Sequence, residues 1–139
     1  RPGSWWARCG TATRPPTRPV RSRRWSGGCG GRWGGVPSSA ESGYAVEVRT
    51  TAGNDEEVCR PGVLIYRVSS NVDTGQGPVS VVDSTKKSGG CTRVPNVHAE
   101  LSDAAFRPGQ TFTDRATGIR ISVVEKDDEG NYRVRISRP

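Results

Sequence analysis

Ile119-Arg120-Ile121-Ser122-Val123 and Tyr132-Arg133-Val134-Arg135-Ile136 alternate apolar and polar residues without a break. A period of two puts one apolar face on each segment, as a strand covered on one side by a core requires. Between them runs an acidic stretch from Glu125 to Asn131, of which Asp127-Asp128-Glu129-Gly130-Asn131 has the chemistry of a turn. The two segments are predicted to form a β-hairpin closed by that connection.

The same pattern continues upstream. Thr111-Phe112-Thr113 reads as a short strand after the Arg107-Pro108-Gly109 turn, and only Val97 to Ala105 has the composition of a brief helical turn. Val79-Ser80-Val81-Val82-Asp83 is a strand introduced by Asp73-Thr74-Gly75-Gln76-Gly77-Pro78. Val63-Leu64-Ile65-Tyr66-Arg67-Val68 is apolar almost throughout, which predicts a strand covered on both faces at the centre of the sheet. In Gly43-Tyr44-Ala45-Val46-Glu47-Val48-Arg49-Thr50 the residues Tyr44, Val46 and Val48 share one face, and Gly53-Asn54-Asp55 ends the strand. Six short strands separated by turns predict an all-β fold, an antiparallel β-sandwich.

The chain has 139 residues, a length that suits one domain with a modest core. No run approaches about 18 consecutive apolar residues, which argues against a membrane-spanning helix. No signal-peptide pattern is present either, and the first residue is Arg1, which suggests a fragment or a processed or mistranslated product. The net charge of +7 is unevenly placed. Residues 1–40 hold eight Arg and no Asp, Glu or Lys, whereas residues 41–139 hold thirteen basic and fourteen acidic residues and carry −1. All four Trp (Trp5, Trp6, Trp25, Trp33) also lie in residues 1–40, with no Ile, Leu, Phe or Tyr.

The chain therefore divides near residue 40 into a leader and a β domain. Runs such as Arg14-Pro15-Pro16-Thr17-Arg18-Pro19 and Ser26-Gly27-Gly28-Cys29-Gly30-Gly31 hold neither helix nor strand, so residues 1–40 are expected to be disordered and without a core. The alphabet of the leader is that of GC-rich codons, and a frame-shifted or otherwise artefactual segment is the leading reading. A genuine disordered linker comes second and a functional basic arm third, its Arg meeting phosphates and its Trp stacking on bases. A membrane-surface helix fails because the apolar residues lack a 3.6 period.

Cys59 and Cys91 fall in loops flanking strands of the β domain, and Cys9 and Cys29 fall in the leader. A Cys59–Cys91 bridge would close a loop of about 30 residues and contribute roughly 3–4 kcal/mol in the chain-entropy model. It would also imply an oxidising compartment. Two reduced, buried thiols are the alternative, and zinc is weaker still, since no Cys-x-x-Cys pair exists and the chain has one His.

Candidate catalytic residues are few. His98-Ala99-Glu100 matches half of a zinc-deaminase motif, but no Cys follows residue 91 to supply the other ligands. A zincin helix needs a second His, which the chain lacks. His98 is expected to be a loop residue bonded to nearby backbone. Neither a Gly-x-Ser-x-Gly elbow nor a Walker-type Gly-Lys-Ser/Thr is present. The acid pairs Glu56-Glu57 and Asp127-Asp128 adjoin turns, where solvated carboxylates are ordinary. A surface calcium site from Asp127, Asp128 and Asn131 is a minor reading. No catalytic, cofactor-binding or metal residues are assigned.

Several blocks in order carry a resemblance: Gly43-Tyr44-Ala45-Val46-Glu47-Val48-Arg49, Gly53-Asn54-Asp55, Pro61-Gly62-Val63-Leu64-Ile65-Tyr66-Arg67-Val68, His98-Ala99-Glu100-Leu101-Ser102-Asp103-Ala104 and Pro108-Gly109-Gln110-Thr111-Phe112-Thr113-Asp114. Over about residues 42–138 the chain resembles the region after the catalytic domain in secreted actinobacterial M6-family (immune inhibitor A-like) metallopeptidases. The resemblance implies a secreted, zinc-dependent endopeptidase whose His-Glu-x-x-His lies upstream. Residues 1–40 contain nothing like that motif, so zinc and peptidase activity belong to a catalytic domain this sequence does not include.

The expected function is a non-catalytic accessory module of such an enzyme. Its expected partners are the catalytic metallopeptidase domain or a protein substrate, with no membrane partner, and its expected location is extracellular. A stand-alone carbohydrate- or protein-binding β module is the alternative, and a nucleic-acid binder acting through the leader stands behind both.

Overall fold

In the computed structural model, the described residues are 4–9, 33–39, 41–51, 58–91 and 99–138. All six expected strands are present: β3 (Ser42–Arg49), β4 (Gly62–Ser69), β5 (Val79–Val82), β6 (Thr111–Thr113), β7 (Arg120–Lys126) and β8 (Tyr132–Ser137). Two further strands, β1 (Ser4–Cys9) and β2 (Trp33–Pro37), lie in the leader, where the sequence offers no strand signal. They are outermost in their sheets, where main-chain pairing needs no side-chain alternation. The Gly/Pro runs 14–19 and 26–31 lie outside the described residues.

The strands make two antiparallel sheets, ordered β1-β8-β7-β6 and β2-β3-β4-β5. The hairpin β7–β8 pairs Ile121 with Ile136 and Val123 with Val134, and the register then shifts between Val123 and Glu125. Val124 is the extra residue of this bulge and points its side chain to solvent. The connection is the expected one: Asp127 N–H donates to the Asn131 carbonyl at 2.9 Å, and the Asp127 carboxylate accepts from the Asn131 N–H at 2.8 Å.

Between the sheets lies one core. Tyr44, Val46 and Val48 from β3 and Val63 and Ile65 from β4 meet Ile121 and Val123 from β7 and Tyr132 and Val134 from β8, with Ile119 and Phe106 completing the cluster. Val63, Ile65, Ile121 and Val123 are fully sealed from water. Phe112 of β6 packs its ring 5.1 Å from Tyr44 and 6.4 Å from Phe106, joining the sheets at one end.

In one respect β4 differs from expectation. It is interior to its sheet, yet the core covers it on only one face: Leu64, Tyr66 and Val68 on the other side remain partly exposed, and Arg67, on the side of Val63 and Ile65, is exposed beyond the core. An apolar run cannot distinguish a strand sealed on both faces from one with a greasy outer face. The helical turn is shorter than the expected segment, a 3₁₀ turn over Ala99–Leu101.

Candidate functional site

Three loops converge beside the end of β4. They are the segment entering β4 (Val58–Pro61), the segment leaving β5 (Asp83–Cys91) and the segment after the 3₁₀ turn (Ser102–Ala105). The Cys59–Cys91 disulfide ties the first to the second, with Cα atoms 6.0 Å apart across 32 residues. The expected cysteine pair is thus the bonded one.

Asp103 organises the cluster, and among the described residues it is the one buried charged side chain. Its carboxylate accepts from Arg60 Nη1 at 3.1 Å and from the Ser88 hydroxyl at 3.0 Å. Its carbonyl accepts from Arg60 at 3.2 Å and from the Thr85 hydroxyl at 3.1 Å. A buried carboxylate is tolerated only when paired and bonded in this way.

Glu100 closes the other side. Its carboxylate accepts the main-chain N–H groups of Ser88 at 3.0 Å and Gly89 at 2.8 Å. Lys87, Gly89 and Gly90 have positive φ, which turns successive N–H groups toward one anion. The chain fills this concavity with its own carboxylate. The Ser102 hydroxyl donates to the Ala99 carbonyl at 2.6 Å and accepts from the Cys91 N–H at 2.8 Å, so the bridge sits on a hydrogen-bonded floor.

Two other polar groupings lie on the sheets. Tyr44 donates to the Asp114 carboxylate at 2.9 Å. Burial, chiefly, and that bond push the Tyr44 hydroxyl up to about 12. Asp114 is held below the usual carboxylate range, first by the Thr117 hydroxyl, then by Tyr44 and by the N–H groups of the 114–117 turn, with burial opposing. On the outer face of β3 and β4, Tyr66 donates to Glu47 at 2.7 Å, and Arg49 approaches both, 3.4 Å from the Tyr66 hydroxyl and 3.5 Å from Glu47. Burial raises the Tyr66 hydroxyl most; the Arg49 bond pulls it back and Glu47 adds to the rise.

In each of these groupings the carboxylate is engaged in hydrogen bonds within the fold. Asp103 and Glu100 hold loops and Asp114 holds a turn. Among the described residues no group of three or more His, Cys, Asp or Glu could hold a metal ion. Asp127 turns its carboxylate onto the Glu129 and Asn131 N–H groups, the geometry of a turn cap. A small notch lined by Glu125, Asp127, Asn131, Tyr132 and Arg133 lies over it.

His98, Glu56 and Glu57 lie outside the described residues, as does Cys29, while Cys9 is described by its backbone at the end of β1. The roles of Asp103, Arg60, Glu100 and Asp114 went unread in the sequence. Arg60 and Asp103 are 43 residues apart and Tyr44 and Asp114 are 70 apart, so no local spacing announces either pair. Among the described residues no helix is long and apolar enough to cross a membrane. No family model, curated protein or solved structure matches the chain.

Proposed function

We propose that residues 41–139 are a non-catalytic β-sandwich accessory module of a secreted M6-like zinc metallopeptidase, supporting its catalytic domain or positioning its protein substrate. The observation that carries this reading is where the resembling blocks fall. Residues 43–49 are in β3, residues 61–68 run into and along β4, residues 101–104 include the Asp103 hub, and residues 108–114 make the turn, β6 and the Asp114 anchor. These are framework positions of one domain, the kind that relatives of a shared fold would keep. The Cys59–Cys91 bridge suits an oxidising, extracellular setting.

The nucleotide sequence upstream tests the reading directly. A frame displaced from that of residues 1–40 is expected to encode His-Glu-x-x-His ahead of Gly43. Its absence from every upstream frame overturns the proposal and leaves a stand-alone carbohydrate- or protein-binding module. In parallel, the chain itself is expected not to hydrolyse casein with added zinc; chelator-sensitive cleavage retained on repurification contradicts a non-catalytic role.

A further inference from the structure

β5 ends the β2-β3-β4-β5 sheet, and among the described residues no strand lies beyond it. Its hydrogen-bond phase is fixed by its neighbours. Ser69 N–H donates to the Pro78 carbonyl at 2.8 Å, and Val63 exchanges main-chain bonds with Phe106 on the same side of β4. Antiparallel pairs alternate, so Ser80 and Val82 bond to Arg67 and Ile65, while the main-chain groups of Val79 and Val81 point out of the sheet. The Val82 side chain packs on the core, so those of Val79 and Val81 lie on the opposite face, beside Tyr66 and Val68. Val79 is 54% exposed.

Natural edge strands are blunted by charge, proline, bulges or shortness. Within the 41–139 domain the other edge, β6, is three residues long with two threonines. β5 is Val-Ser-Val-Val and carries none of the chemical devices between Val79 and Val82.

We propose that a second copy of this chain covers this edge, the two β5 strands pairing antiparallel about a two-fold axis with Val79 opposite the partner's Val81. In that register the outward N–H and C=O of each valine meet those of the other, Ser80 falls on the axis, and both outer-face cross-strand contacts are Val–Val. Charge favours the antiparallel sense. The turn before β5 carries exposed Asp73 and the turn after it carries exposed Lys86 and Lys87. Antiparallel pairing sets each acidic turn beside the partner's basic one, whereas parallel pairing brings like ends together. The carboxylate of Asp83, at the basic end, is engaged with the Thr85 N–H and hydroxyl. One short edge buries less than a standard interface, so the dimer is weak, with a Kd on the order of 10–100 μM.

Sedimentation equilibrium of the oxidised full chain tests this. The weight-average mass is expected to rise from 14.9 kDa towards twice that value across the micromolar range. Val81→Pro removes an N–H that β4 does not use, and Val79→Lys places a charge on the exposed edge. Both variants are expected to stay monomeric where the parent is half dimeric, with β-type circular dichroism and the disulfide unchanged. If Val81→Pro fails to fold, Val79→Lys reads the same edge. A parent that stays monomeric throughout, which would leave the edge to a different extended chain, overturns the proposal. So does a dimer that Val79→Lys leaves intact, or one that survives non-reducing denaturation and is thus a cysteine cross-link.

Discussion

Arg60 Nη1 donates to both the carboxylate and the carbonyl oxygen of Asp103, at 3.1 and 3.2 Å, one residue from the disulfide at Cys59. A single guanidinium thus fixes side chain and backbone of the residue that the β5 exit loop also grips through Ser88 and Thr85. Covalent and polar restraints meet at this point of the fold.

Removing either partner takes the opposite charge from the other while hydrogen bonds to it remain, from Ser88 to the Asp103 carboxylate or from Arg60 to the main-chain carbonyl of residue 103. Asp103→Ala is expected to destabilise the chain by about 2–4 kcal/mol, towards the lower part of the range for broken buried pairs because Arg60 keeps some solvent contact. Arg60→Ala should cost less, since Ser88 still bonds the carboxylate. Urea denaturation of both variants checks the order; Arg60→Ala costing more than Asp103→Ala contradicts it.

Reduction of the bridge frees a loop without opening the core. The disulfide joins residues that both lie outside the strands, and the core cluster contains neither. Cys59→Ser with Cys91→Ser should cost roughly 3–4 kcal/mol and lower Tm while leaving β-type circular dichroism intact. Hydrogen exchange should rise at the Ser88, Gly89 and Cys91 amides, which Glu100 and Ser102 hold, and stay slow in β3, β4, β7 and β8. Exchange rising equally through the core strands would show that the bridge supports the whole sandwich.

The chain has three tyrosines, Tyr44, Tyr66 and Tyr132, and all three hydroxyls are raised, each chiefly by burial. Little tyrosinate absorbance should therefore develop near pH 10 in the folded chain. Between about pH 10 and about 12 the unfolded chain loses the Tyr44 proton and the folded chain keeps it, so stability falls as pH rises through that window. Asp114 acts in the opposite direction: its lowered folded value stabilises at neutral pH, and that contribution is lost as pH falls through the carboxylate range. Tm measured from pH 3 to 11 should decline at both ends, and Tyr44→Phe should flatten the alkaline decline. A Tyr44→Phe curve parallel to the parent's above pH 10 contradicts the assignment.

The β strands were legible because each has the period its environment demands. Ile119, Ile121 and Val123 alternate with polar residues, and they are buried while Arg120 and Ser122 are not. β4 was legible as a strand but not as one-sided, because Leu64, Tyr66 and Val68 are apolar on a face that no described strand covers. β1 and β2 were invisible: an edge strand can be recruited through main-chain bonds alone, and Gly34-Gly35 in β2 carries no pattern. The Asp103 and Asp114 anchors escaped because a polar residue that meets its partner through tertiary contact looks, in sequence, like any solvated loop residue. The disulfide escaped none of this reasoning, since only two cysteines lie in the β domain.

Gly62 marks a close backbone approach at the start of β4. A Cβ there would lie 2.7 Å from the Phe106 carbonyl oxygen and 3.0 Å from the Ala105 Cβ, against the strand end where Val63 and Phe106 exchange hydrogen bonds. The obstacle is backbone, so it cannot swing aside. Gly62→Ala should cost about 1–3 kcal/mol and weaken the Val63–Phe106 bridge. Gly130→Ala, with nothing within 4 Å but φ of +85°, should cost about 1 kcal/mol through strain alone. Equal costs would mean that the approach at Gly62 relaxes freely.

Removing residues 1–40 separates the domain from its leader. β1 and β2 are edge strands, and among the residues before Glu41 whose side chains are described, Val36 packs against the core. The 41–139 chain, which holds the other members of the described core, is expected to fold cooperatively, with β-type circular dichroism and a lower Tm than the full chain. All tryptophan emission should vanish with the four leader tryptophans, and the net charge should fall from +7 to −1. Any affinity of the full chain for RNA should then disappear, because a phosphate-driven contact needs the cationic segment. Calorimetry and a salt-dependent RNA titration on both chains check these outcomes. A truncated chain that unfolds non-cooperatively makes β1 and β2 integral to the sandwich, and RNA binding that survives truncation places a nucleic-acid surface on the β domain itself.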